Sequence, residues 1–114
     1  MIEATIISYL LDKTSAAKNV FAERPKNPPA KYIIVEKTGS GRTNRTDRAT
    51  IAIQSISKDS LQHASMLNDE VKAQMDAIVE LDAIGACRLN SDYNFTNQET
   101  KEYRYQAVFD ITHY

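Results

Sequence analysis

The residues best spaced to do chemistry are four cations. Lys37, Arg42, Arg45 and Arg48 surround Gly39-Ser40-Gly41, are opposed only by Asp47, and the arginines recur every third residue. Guanidinium groups presented this way suit charge-assisted hydrogen bonds to carboxylates or phosphates. Two readings stay open: a solvated hairpin tip, or an arm that docks on an acidic partner surface or touches nucleic acid phosphates as point contacts. No aromatic residue in the stretch could stack on bases, and three arginines are few for firm duplex binding at physiological salt.

Other chemistry finds less support. Gly39-Ser40-Gly41 lacks the Gly-Lys pair and the following helix that a phosphate loop needs. His63 and His113 have no His or Cys three to five residues away, so a zinc site is not expected. Cys87, the single cysteine, permits no internal disulfide and falls on an apolar strand face, where a core thiol is the simpler reading. Asp92 with Glu99, and Asp76 with Glu80, are carboxylates of turns and solvated faces rather than a catalytic pair. Asn44-Arg45-Thr46 and Asn94-Phe95-Thr96 fit the glycosylation pattern, but Met1-Ile2-Glu3 shows an early acid and no basic-then-apolar stretch, so no secretory leader is expected and neither site is expected to be used. The expectation is a protein that is not an enzyme and holds no metal or other cofactor.

The elements that must position these residues follow from periodicity. Ile2, Ile6, Ile7, Leu10 and Leu11 predict an amphipathic helix over 2–13. Asn19 to Glu23 reads as a short strand, ended by the Pro25, Pro28 and Pro29 loop. Tyr32-Ile33-Ile34-Val35 predicts a strand over 31–38 covered on both faces, hence inside the sheet. The polar run 39–46 is read as a loop too long for a tight hairpin, leading to a strand over 47–57 with Ala49, Ile51 and Ile53 on its apolar face. Leu61, Ala64, Leu67, Val71, Met75 and Ile78 then step by three and four along a helix running to about Glu80, with Asp59 as N-cap and Gln62 completing a capping box. Cys87, Leu89, Tyr93 and Phe95, and then Tyr103, Tyr105, Ala107, Phe109 and Ile111, alternate as two half-buried strands joined by a turn over 97–100. The fold class expected is α+β, order α-β-β-β-α-β-β: a mainly antiparallel sheet of four to five strands with two helices on one face.

Composition bounds the rest. The 114 residues, 42% hydrophobic and 25% charged, fit one domain over 1–114. No apolar run reaches 18 residues, so no membrane span is expected. With the single cysteine, the reading is a soluble protein of a reducing compartment. The net charge of −1 conceals an uneven split. Residues 1–48 hold nine Lys/Arg against five Asp/Glu, net +4; residues 49–114 hold five against ten, net −5. Such a division is ordinary solvated surface, or it serves head-to-tail association of copies.

Lys31-Tyr32-Ile33-Ile34-Val35-Glu36-Lys37-Thr38-Gly39 and Asp47-Arg48-Ala49-Thr50-Ile51-Ala52-Ile53-Gln54-Ser55 resemble the central strands of tail-completion, or tail-terminator, proteins of long-tailed bacteriophages. Leu67-Asn68-Asp69-Glu70-Val71-Lys72, Leu89-Asn90-Ser91-Asp92-Tyr93-Asn94-Phe95 and Tyr103-Arg104-Tyr105-Gln106-Ala107-Val108-Phe109-Asp110 extend the likeness over nearly the whole chain. The resemblance implies a small α+β subunit that assembles with its own copies as a ring, commonly a hexamer, in the neck of the virion. There it caps the head-proximal end of the tail tube, halts tube growth, and offers a joining surface to the head-tail connector; assembly takes place in the host cytoplasm. The partners implied are further copies, the tail tube protein and the connector protein, with at most incidental contact with DNA passing through the ring. It assigns no individual residue. Lys37, Arg42, Arg45 and Arg48 are the candidate docking residues. Val108 and Thr112, on the polar face of the last strand, are candidates for the interface between copies. A head-closure or connector adaptor and a small nucleic-acid-binding α+β module are the alternatives.

Overall fold

The computed structural model describes residues 1–43, 46–96, 99–100 and 102–114. In chain order they form α1 (Ile2–Leu10), β1 (Val20–Phe21), β2 (Lys31–Thr43), β3 (Thr46–Ser57), α2 (Leu61–Asp76), a 3₁₀ turn (Ile78–Glu80), β4 (Ile84–Asn94) and β5 (Tyr103–His113). The five strands make one mixed sheet in the order β1-β2-β3-β5-β4. Only β1 and β2 pair in parallel; every other neighbour is antiparallel. The expected α+β class and element order hold.

Both helices lie on one face of this sheet. Ile2, Ile6, Tyr9 and Leu10 of α1 and Leu67, Val71 and Met75 of α2 close over Ile33, Val35, Ile51, Ile53, Ala107, Phe109 and Ile111. These strand residues alternate in sequence, because only every second side chain of a strand points to a given face. The opposite face has a smaller cluster at one end, where Tyr32, Ile34 and Ile56 pack with Phe21. That second cluster is why Tyr32-Ile33-Ile34-Val35 reads as continuously apolar, and all four are buried.

Three expected boundaries move. Leu11 is extended and Asp12 has φ 60, so α1 stops at Leu10 rather than at Lys13. The cap of α2 is Ser60, whose Oγ accepts from the His63 amide at 3.0 Å, so Asp59 does not cap and Gln62 is not in the N3 place of a capping box. The helix ends at Asp76, and a 3₁₀ turn carries the chain to Glu80. Ile78 stands three residues after Met75, a spacing that tighter winding keeps on the buried side.

The largest correction concerns residues 39–46. The described residues of the long polar loop expected there are instead strand: β2 continues to Thr43 and β3 begins at Thr46, with Gly41 opposite Arg48, Arg42 opposite Asp47 and Thr43 opposite Thr46. Glycine is a poor strand former alone, but β3 supplies a ladder that overrides the propensity of Gly39 and Gly41. Thirteen residues at about 3.3 Å each cover the molecule's 44 Å long dimension. Arg45, with Asn44, and Asn97-Gln98 of the expected final turn lie outside the described residues.

Candidate interaction surfaces

The strand geometry sorts the candidate cations. Arg42 pairs across the ladder with Asp47, and its Nη1 lies 3.5 Å from Asp47 Oδ1. Lys37 pairs with Ile51, so it shares the helix-bearing side of the sheet with Arg42. Arg48 neighbours Ala49 and projects to the opposite, open side. A spacing of three suits a helix face; on a hairpin it divides Arg42 from Arg48. Arg48 instead borders a shallow concavity of about 610 Å³ on the open face, with Gly41, Thr50, Ala86, Arg88 and Asp110.

Val108 and Thr112 lie on the same open face, both half-buried. Val108 sits between Ala52 and Ser91, and Thr112 between Arg48 and Ala86. They are therefore one strand in from the sheet margin.

The margin strand β4 departs most from its sequence reading. Leu89 pairs with Phe109 and Ser91 with Val108, leaving Asn90 as an extra residue, a β-bulge. The bulge reverses the alternation. Cys87 and Leu89 stay on the helix side, as does Asp92, which meets Lys72 of α2 at 3.0 Å. Tyr93 pairs with Gln106 on the open side, where the Tyr93 and Phe95 rings stack with centroids 6.1 Å apart. The Arg104 guanidinium lies over Phe95, and Arg104 also donates to Gln54. Leu89, Tyr93 and Phe95 are all more than 40% exposed, contrary to the expected half-buried face. Four alternating apolar positions gave no sign of an inserted residue between them.

Cys87 lines a slot of about 310 Å³ between α2 and β4 with Lys72, Met75, Asp76, Leu89 and Phe109. Burial, and then the Asp76 carboxylate, push its thiol up to about 11, so at neutral pH it is protonated and a poor nucleophile. The Lys72 ammonium is held above its ordinary value chiefly by its hydrogen bond to Asp92. Among the described residues no cluster of three His, Cys, Asp or Glu could hold a metal ion, and no helix is long and apolar enough to cross a membrane.

One polar constellation was not legible in the sequence. Glu102, 5% exposed, accepts from Tyr32 Oη at 2.6 Å and from Arg24 Nη2 at 3.1 Å. Burial alone would raise this carboxyl. The hydrogen bonds from Tyr32 and Arg24, with the charges of Arg24 and Lys58, outweigh it and hold the group below its usual value. The trio fastens the proline-rich loop over the cluster on the open face.

The sheet also has two bare margins. Beyond Ile33 and Ile34, which pair with β1, no described strand lies on the outer side of β2, so residues 35–43 present a free edge. No described strand lies outside β4, whose 11 residues form the other margin. No family model matches the chain, and no curated protein matches it.

Proposed function

We propose that the chain is a structural subunit of a long-tailed bacteriophage: a tail terminator that assembles as a ring, caps the head-proximal end of the tail tube and offers the joining surface for the head-tail connector. It works by shape and contact, without catalysis or cofactor, in the neck of the virion after assembly in the host cytoplasm. The observation that carries this reading is the pair of bare edges. A ring of identical subunits needs two different, mutually complementary margins on each copy. Here β2 and β4 stand at opposite sides of one sheet and run in opposite directions. An interface of ordinary size takes about 800 Å² per partner, roughly an eighth of the 6538 Å² surface.

Deleting the gene from the phage and imaging the lysate tests the reading. Abnormally long, headless tails support a terminator. Tails of normal length lying beside full heads point to the head-closure adaptor instead. Reversing Arg42, Arg45 and Arg48 together weakens docking to tube or connector while the fold persists; full-strength tail assembly by that variant removes the hairpin end as a contact site.

The open face favours a second reading as a nucleic-acid-binding module, because it joins the stacked Tyr93 and Phe95 to Arg48, Arg88 and Arg104. Bases stack on exposed sheet aromatics while arginines meet phosphates. Binding of a labelled oligonucleotide that falls steeply between 50 and 200 mM salt would identify it.

A further inference from the structure

We infer that the β4 edge of one copy receives the β2 edge of the next as an antiparallel strand, in a single register that sets Asp92 opposite Lys37 and Cys87 opposite Arg42. The inference rests on the self-assembly reading and specifies its contact.

Strand direction comes first. β2 is antiparallel to β3, β3 to β5, and β5 to β4, so β4 runs opposite to β2. A second copy in the same orientation, added beside the first, continues the sheet with β2 against β4 as a regular antiparallel pair. Such strand addition supplies main-chain hydrogen bonds to edges along which no described strand pairs.

The bulges then select the register. An inserted residue ordinarily protects an edge, because a regular strand cannot keep its faces aligned past it. Both margins are interrupted: Thr38 is extra in β2, Asn90 is extra in β4, and β4 skips a second residue, Gly85, near its start, before the segment 87–92 that the pairing uses. On β4, Leu89 and Asp92 face the helix side with two residues between them; on β2, Lys37 and Ser40 face that side with two residues between them. Setting Asp92 opposite Lys37 lays Asn90-Ser91 against Thr38-Gly39. Leu89 then meets Ser40, Arg88 meets Gly41, and Cys87 meets Arg42, every pair on a common face. A shift of one residue puts side chains on opposed faces.

Charge agrees with this register. The helix side of the β4 edge carries Asp92 and, beside Cys87 in the slot, Asp76, with Lys72 between them. The helix side of the β2 edge carries Lys37 and Arg42. In the proposed pair Lys37 comes to Asp92 and Arg42 to Asp76. Arg42 leaves only an exposed contact with Asp47, which contributes little where it is.

Disulfide trapping tests the register. In a Cys87→Ser background, the double variant Lys37→Cys/Asp92→Cys of the purified chain gives a ladder of covalent multimers on mild oxidation. The two single variants, mixed, give a cross-linked heterodimer. Pairing Lys37→Cys with Arg88→Cys gives at least about tenfold less product, since four residues displace the sulfurs by about 13 Å, beyond disulfide reach. Both substituted sites are exposed, and circular dichroism confirms the fold of each variant. Equal yields for the two pairings overturn the register. Oligomers in sedimentation without a Lys37–Asp92 cross-link overturn the edge contact and leave the ring reading standing. A chain that is monomeric throughout and never cross-links overturns the pairing, while tail length in the deletion phage decides the terminator reading separately.

Discussion

Glu102 is a nearly buried carboxylate whose two partners come from distant parts of the chain, Arg24 in the proline-rich loop and Tyr32 on β2. Removing one partner of a buried acceptor leaves its desolvation uncompensated, so Tyr32→Phe costs about 1–3 kcal/mol near neutral pH. The pH dependence has a definite sign on each side. The Glu102 carboxyl is depressed in the folded chain, so its contribution is complete above its ordinary value of 4.5 and disappears as pH falls through the lower folded value. The Tyr32 phenol is pushed up to about 12, first by burial and then by Glu102, so its contribution is complete below 10 and is lost as pH rises towards 12. Denaturant unfolding across pH 3–11 shows the stability gap between the wild-type chain and Tyr32→Phe narrowing at both ends. A gap constant with pH would mean that the pair has no role in holding the loop. Ser60→Ala is the simpler test: loss of the cap that accepts from His63 costs about 1 kcal/mol, whereas Asp59→Ala, one residue away, leaves the helix unchanged.

Elements were legible wherever one face is buried and the phase is unbroken. Ala49, Ile51 and Ile53, and Leu67, Val71 and Met75, announce a strand and a helix by period, and all six are buried. Residues 39–43 were not legible, because Gly39, Gly41 and Arg42 signal a turn locally while β3 makes them a strand. Nor was the reversal of Tyr93 and Phe95, since a bulge depends on the partner strand. Asn90 isolates that effect. Its deletion joins Leu89 to Ser91 and leaves Cys87, Leu89 and Asp92 on one face and Tyr93 on the other, regular against β5 from Ala86 onward. The variant loses the Asn90–Asp110 hydrogen bond, about 1 kcal/mol, and keeps its fold. Its outer edge no longer matches the bulged β2, so cross-linking from Asp92→Cys to Lys37→Cys persists while a bond between native Cys87 and Arg42→Cys is lost. Retention of both would show that the bulges do not set the register.

For the whole molecule, net charge near zero conceals a division into +4 over residues 1–48 and −5 over the remainder, and the fold carries β2 and β4 to opposite margins of one sheet. Sequence halves thereby become spatial sides, a route from charge pattern to directional association. Arg42 and Asp76 make that route testable, since neither is buried and neither supports the core. Arg42→Glu places a carboxylate against Asp76 of the adjoining copy and weakens self-association about tenfold or more, because like charges brought together at an interface cost free energy that neither isolated chain incurs. The monomer is little affected, as the exposed Arg42–Asp47 contact is worth at most about 1 kcal/mol. Combining Arg42→Glu with Asp76→Arg restores the opposite-charge pair with its polarity exchanged, and association recovers. Sedimentation equilibrium reads both changes, and raising ionic strength from 0.05 to 0.5 M compresses the difference because exposed charges are screened within a few ångströms. A double variant that associates as poorly as Arg42→Glu alone would place the contact between copies elsewhere on the surface.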